Sequence, residues 1–390
     1  MRVLLVHNHY RQRGGEDVVF EREAQLLRDA GHEIQTYERH NDEVDDMGAA
    51  KLAAQTLWSK RTVDEVSALA ARFRPDVAHV HNTFPLISPS VYPTLKRAGV
   101  PIVQTLHNYR LTCLNAMLLR NDNPCEDCVG RLPWRGVLHK CYHDSTSQSA
   151  VLATTLAVHR QRTIYRNVDR FIALTGFARD LFVRAGLPAA KIVVKPNFVP
   201  DRGPPPRGGR EGVLYVGRLS VEKGIAVLAQ AARLAPEVHI DVIGDGPCAA
   251  MLEGIANVRM LGRKSSEEVR DAMTRARFLV VPSVCYEGFP LTIAEAYEAG
   301  LPVIASDIGC LREIVEVGVT GWLLPPSDPA SLAICLADRI AQFEDSHRLG
   351  DRSREKYVAL YSRDAAVTRF CSLYSSAIAE AANRRRFYGT

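Results

Sequence analysis

"GVLYVGRLSVEKGIAVLAQAARLAPE", residues 212–237, reads as a short apolar run, a Gly-bearing loop and an amphipathic helix. The run 213–216 mixes Val, Leu and Tyr, which suits a buried strand. Loop 217–224 sets Arg218 and Lys223 among glycines, and the apolar spacing from 225 fits a helix. The same order is written at the amino end. There "RVLLVHNHY" (2–10) leads through "RQRGGED" (11–17) into "VVFEREAQLLRDAGHE" (18–33). More strands follow in each half: "DVAHVHN", "PIVQTLHN", "RFIALT" and "KIVVKPN" in the first, "VHIDVIGDG", "NVRMLGR", "RFLVVPS" and "PVIASD" in the second. Helical stretches alternate with them, among them "SSEEVRDAMTRA", which opens on a Ser265…Glu268 capping box. Such alternation implies α/β architecture, with parallel sheets covered by helices on both faces.

Residues 199–212, "VPDRGPPPRGGREG", are too rich in Pro, Gly and Arg for a packed element and read as a linker. The chain then divides into an N-terminal domain over 1–198 and a C-terminal domain over 213–365. A helix with a basic tail over 366–390 is expected to pack back toward the N-terminal domain. Ligands of open α/β sheets bind beyond the carboxyl ends of the strands. Two such domains facing each other would enclose a donor cleft.

The 390 residues allow two or three domains with ample core, and 46% apolar against 24% charged residues is ordinary for a soluble protein. No run approaches the roughly 18 apolar residues needed to cross a bilayer, and the amino end turns polar too soon for a signal peptide. The expected location is therefore the cytoplasm. Nine irregularly spaced cysteines fit a reducing compartment. A net charge of +5, without a basic-aromatic module, gives little support to a nucleic-acid partner.

Three loops at strand ends carry chemistry. "VGRLSVEKG" offers Gly217 and two cations, Arg218 and Lys223, that could grip a diphosphate; a solvated charged loop would look the same. "VIGDGP" gives Gly244 and Gly246, where a backbone can approach a flat ring closely, although Gly-Asp-Gly turns are common. "EGFPLTIAE" places Glu287 ahead of a helix and Glu295 within it. Gly288, Phe289 and Leu291 offer amides near the helix start, while Pro290 has none to give.

Taken in order, "GRLSVEKG", "GDGP", "EGFPLTIAEAYEAGLPVIASDIGCLREIV" and "TGWLLPPSDPASLA" resemble glycosyltransferase family 4, the retaining nucleotide-sugar-dependent enzymes of GT-B fold. The resemblance runs over nearly the whole chain and is strongest across 213–332. It implies that Glu287 contacts the donor sugar, Glu295 the nucleotide ribose, and Arg218 with Lys223 the diphosphate. "RGGED" is similar to the family's first Gly-rich loop, which makes Gly14 and Gly15 candidates for phosphate or acceptor contact. "TLHNYR" stands where the family keeps its active-site His, here His107. His7, His9, His79 and His81 also lie near strand ends, and a role stays open for each.

Breaking a sugar–diphosphate bond puts negative charge on the leaving phosphate, where Arg218, Lys223 and the helix amides would help. A retaining hydrolase would need a second carboxylate roughly 5 Å away, and none is evident. The resemblance implies instead a front-face route, with the leaving phosphate taking the acceptor's proton. No Asp-x-Asp occurs in the chain, so the expected catalysis needs no metal. The acceptor would be a glycan or a lipid-linked sugar.

Cys113, Cys125, Cys128 and Cys141 crowd one segment, with His139 and His143 nearby. They read either as a structural zinc site or as reduced thiols in a long loop. "AAKLAAQTLWSKRTV" (49–63) mixes Leu and Trp with Lys and Arg. It reads either as an ordinary half-buried helix or as a basic amphipathic one lying on an anionic membrane face. Two other functions compete with transfer. A nucleotide-sugar epimerase would lack this Glu pair with Arg and Lys, and a non-catalytic sugar-nucleotide-binding protein would have no use for His107.

Overall fold

The computed structural model describes residues 1–205, 208–341 and 343–388. Pro206 and Arg207 of the expected linker, and Gly389 and Thr390 of the basic tail, lie outside them. The chain forms two compact units. The first comprises Met1–Met117, Glu126–Asn197 and the chain from Ala366 on; the second comprises Leu118–Cys125 and Phe198–Ala365.

The first unit is built on six strands: β1 (Arg2–His9), β2 (Glu33–His40), β3 (Val77–Val80), β4 (Ile102–Leu106), β7 (Arg170–Ala173) and β8 (Ile192–Val194). Between β4 and β7 the chain makes a small hairpin, β5 (Leu119–Arg120) with β6 (Asn123–Pro124), which groups with the second unit. The first sheet runs β2-β1-β3-β4-β7-β8, and every pairing in it is parallel. Val3, Leu4, Leu5 and Val6 are all fully buried, as a strand covered on both faces requires. The last long helix, Arg363–Tyr388, covers this sheet through Ala366, Phe370, Tyr374 and Ala377, all buried. The Tyr374 hydroxyl lies 2.8 Å from His79 Nδ1.

The second unit has β9 (Val213–Val216), β10 (Ile240–Ile243), β11 (Val258–Gly262), β12 (Phe278–Val281), β13 (Val303–Ser306) and β14 (Gly321–Leu324). Their order is β11-β10-β9-β12-β13-β14. Counted within the unit this is 3-2-1-4-5-6, the dinucleotide-binding order, whose ligand crevice opens where the order reverses. That reversal falls between β9 and β12. In the first unit it falls between β1 and β3.

Two local expectations change. Residues 49–63 are not one helix: Ala49–Leu57 ends at Trp58, and Lys60–Phe73 starts anew. The break is set by Ser59, whose Oγ caps the second helix by accepting from the Thr62 amide at 3.2 Å. The carboxyl end of the expected linker is not loose either. Arg210 is buried and donates to the carbonyls of Met273, Ala276 and Ala299 at 2.8–3.2 Å, so the guanidinium ties that stretch into the second unit.

Candidate active site

In the second unit the loops after β9, β10 and β12 are stitched together by backbone. The amides of Gly217 and Leu219 donate to Ile243 and Asp245 carbonyls at 3.0 and 2.8 Å, and the Val284 amide donates to Glu222 at 3.0 Å. Glycine makes the approach possible. A Cβ on Gly244, at φ +138°, would stand 1.9 Å from the Gly217 oxygen, and one on Gly224, at φ +71°, 1.8 Å from that of Pro282. Gly246 packs the same way against Leu219. These glycines thus serve loop-to-loop contact, a need separate from any approach to a flat ring.

The stitching brings Lys223 to Glu287. The ammonium donates to both carboxylate oxygens, at 2.7 and 2.9 Å, and Ser283 Oγ donates to Oε1 at 2.7 Å. Cys310 holds the backbone by donating to the Glu287 carbonyl at 3.2 Å. Burial pulls the Lys223 amine down, but Glu287 beside it more than offsets this, so its pKa ends above the usual lysine value. Lys223 is therefore a fixed cation.

Arg218, five residues before Lys223 on the same loop, is exposed, and its side chain has no ion pair among the described residues. Its carbonyl accepts from the Tyr215 hydroxyl at 2.8 Å, which fixes the turn. Gly288, Phe289 and Pro290 lead into the helix Leu291–Glu298. The amides of Gly288, Phe289 and Leu291 donate to no protein acceptor among the described residues. Glu295 sits half-buried one turn inside that helix.

In the first unit, the switch point is lined with histidine. His107, just past β4, places Nε2 3.0 Å from His81 Nδ1, with the rings stacked at 5.2 Å. Burial, with His7 and Lys195 adding to it and Asp17 opposing, holds the His107 pKa at about 3. His79 and His81 are pushed well below the usual histidine range, again mainly by burial. All three are thus neutral imidazoles at physiological pH.

Behind them lies a buried ion pair that the sequence did not announce: Lys195 Nζ sits 2.9 Å from Glu23 Oε1. Gly14 caps the helix Gly15–Asp29 and gives its amide to Asp17 Oδ2 at 2.7 Å. Glu16 beside it accepts from Asn108 at 2.6 Å and from the Tyr10 hydroxyl at 3.1 Å. Cys113, Cys125, Cys128 and Cys141 belong to none of the metal-type clusters found among the described residues.

Two parallel six-stranded sheets, one with a cation–carboxylate pair and unclaimed amides where its strand order reverses, are the architecture of two nucleotide-type α/β domains. Comparison with known proteins agrees. Residues 14–197 match the family model "Glycosyl transferase 4-like domain", and 210–342 match "Glycosyl transferases group 1". The chain belongs to the family 4-type glycosyltransferases and has the GT-B fold.

Among curated relatives, the amylovoran biosynthesis glycosyltransferase AmsK of Erwinia amylovora is 32% identical over 148 residues, 34% of this chain and 36% of that protein. The matched stretch thus spans about a third of that protein's length. Sucrose-phosphate synthase from Thermosynechococcus elongatus has the same fold, with TM-score 0.72 at 20% identity over 97% of this chain and 99% of that one. So does HepE of Anabaena, solved with UDP, with TM-score 0.66 at 17% identity over 96% and 100%.

Proposed function

We propose that this chain is a retaining glycosyltransferase. It would move a hexosyl group from a nucleoside-diphosphate sugar to a glycan or lipid-linked acceptor, without a metal. The observation that carries the reading is the Lys223–Glu287 pair, held by Ser283 where the strand order reverses. Lys223 and Arg218 take the donor diphosphate, and the amides of Gly288, Phe289 and Leu291 add dipoles to the same anion. Glu287 receives the donor sugar's hydroxyls and Glu295 the ribose diol. The HepE complex with UDP, on the same fold, supports a nucleotide of this class.

The first unit is the acceptor domain. Its Gly14–Gly15 loop and the neutral His107 imidazole bind and orient, since an uncharged His107 can exchange hydrogen bonds but is no acid at pH 7. As the C1–oxygen bond to the diphosphate breaks, the acceptor oxygen bonds to C1 on the same face. Its proton passes to the departing phosphate. Each donor to that phosphate contributes about 3 kcal/mol. We also place the protein in the cytoplasm, with peripheral contact to an anionic membrane face.

The test is a panel of nucleotide sugars followed by slow hydrolysis and thermal shift. One donor should stabilise the protein and be hydrolysed. Arg218→Ala and Glu287→Gln should each reduce hydrolysis by roughly a hundredfold. Wild-type rates from both variants would remove the reading.

A further inference from the structure

Among its described residues the first unit holds two buried trios of metal-type ligands, and they differ in one respect. Glu23, His79 and His81 form one; its carboxylate already has the Lys195 ammonium as counter-charge. His7, His9 and Asp17 form the other. Asp17 is 1% exposed, and no lysine or arginine pairs with it among the described residues. Its side-chain partners are two imidazoles: His7 Nε2 at 2.8 Å and His9 Nδ1 at 3.3 Å, both directed at Oδ1. A buried carboxylate needs a positive charge close by. Here the Gly14 and Tyr10 amides and the start of the helix Gly15–Asp29 supply part of it, and Oδ1, facing both imidazole nitrogens, is placed to take a bound cation as the rest.

The surroundings favour a cation. Four-coordinate zinc, with bonds of about 2.0–2.1 Å to nitrogen and oxygen, sets its ligands roughly 3.3 Å apart; His9 and Asp17 already stand at that spacing, and His7, now hydrogen-bonded to Asp17 at 2.8 Å, would draw back slightly to admit the ion. His9 is also oriented as metal ligands are. Its other nitrogen, Nε2, meets Glu38 Oε2 at 2.7 Å, which turns Nδ1 toward Asp17, as in a carboxylate–histidine–metal relay. The second oxygen of Asp17 is held by the Gly14 amide at 2.7 Å. The strands supply the rest. His7 and His9 lie on one face of β1, in register with Glu38 and His40 of β2, and the His40 ring stacks on His9 at 4.4 Å. Glu38 and His40 are the more exposed members and give the site its access to solvent.

We propose that His7, His9 and Asp17 bind one borderline divalent metal ion of the zinc type, with Glu38 positioning His9. The ion ties β1 to the Gly14 loop through Asp17. It takes no part in the donor chemistry, whose cations and amides belong to the second unit.

Zinc alone is the probe. Protein stripped with chelator is titrated with Zn2+ by calorimetry, and metal retained after gel filtration is counted by elemental analysis. Every measurement is repeated in a Cys125→Ser/Cys128→Ser background, which separates out any sulfur site. One equivalent should be retained in that background. Asp17→Asn, which keeps the size and a hydrogen-bonding oxygen, should weaken binding more than a hundredfold. Glu38→Gln, at a half-exposed position that tolerates change, should weaken it 10- to 100-fold, as outer-shell partners of metal ligands do. Co2+ in place of zinc should show the visible bands of a four-coordinate nitrogen–oxygen site, lost in Asp17→Asn. The proposal is overturned if no zinc is retained, if Glu38→Gln and Asp17→Asn bind like wild type, or if all zinc leaves with the two cysteines.

Discussion

His107→Asn tests whether the first unit holds an uncharged imidazole, by way of the pH dependence of its stability. An ordinary histidine titrates near 6.5, whereas His107 in the fold titrates at about 3. Between those values the unfolded chain takes up a proton that the native state refuses. The stability in question is therefore complete above pH 6.5 and is lost as pH falls toward 3. For one such group the loss is about 1.4 kcal/mol at pH 5.5, against about 0.2 kcal/mol at pH 7.

The variant lacks this group but also lacks the 3.0 Å contact with His81. Leaving a buried ring nitrogen unpaired should cost about 2 kcal/mol near neutrality. The wild type is thus expected to be about 2 kcal/mol more stable at pH 7, and less than about 1 kcal/mol more stable at pH 5.5. His79 and His81 are present in both proteins. So are Glu16 and Glu23, whose carboxyls burial pushes up and which act with the opposite sign; these two cancel in the difference, while His79 and His81, lowered mainly by burial and only secondarily by His107, change little. Hydrogen exchange in peptides spanning β3 and β4, corrected for the intrinsic rate at each pH, reads the opening free energy of this unit alone. A gap that stays constant from pH 7 to 5.5, or widens, would show that His107 is not held neutral, and its orienting role would go with it.

Three further outcomes are expected. In a double-mutant cycle on Lys223→Met and Glu287→Gln, urea unfolding should give a coupling of about 1–3 kcal/mol; a coupling near zero would mean the pair is not fixed in solution. Gly224→Ala should lower the second unit's melting temperature by more than about 6 °C, because its Cβ meets the Pro282 oxygen at 1.8 Å. Gly254→Ala, equally left-handed at φ +75° but with nothing within 4 Å, should cost only about 1 kcal/mol; equal losses would show that loop contact is not the cause. Donor hydrolysis should persist in excess chelator, and activity that vanishes and returns with Mg2+ or Mn2+ would refute the metal-free reading.

Strands and helices were largely legible because each half keeps its apolar residues in short runs separated by glycine. Ser265 and Glu268 form the capping box their spacing announced, with both reciprocal hydrogen bonds present. Glu287 precedes its helix and Glu295 lies inside it, as the pattern suggested. Sheet order was not legible. The two halves share strand–loop–helix beginnings yet run 2-1-3-4-5-6 and 3-2-1-4-5-6, and nothing local in β2 or β11 says which neighbour it takes.

Buried partners far apart in the chain escaped for the same reason. Glu23 stands among Glu21, Arg22 and Gln25 and looks solvated, while its partner Lys195 lies 172 residues away. Ser283 could have been suspected from its position four residues before Glu287, on the same strand-end loop. The split at Ser59 was signalled too, since a serine followed by a fresh apolar period is a helix start.

The closing of the first unit by Tyr374 has a consequence for biosynthesis. The eighth strand ends at Val194, but the hydroxyl that meets His79 and the Phe370 ring lying 4.1 Å from the Lys195 ammonium are translated far later. At about 5–20 residues/s the nascent sheet waits roughly 10–35 s for its own cover. Through that interval the Lys195–Glu23 pair and its imidazole neighbours stand uncapped while the second unit is being made. A chaperone that shields this face during the interval, or a messenger whose codons hasten the last third, should raise the yield of active protein.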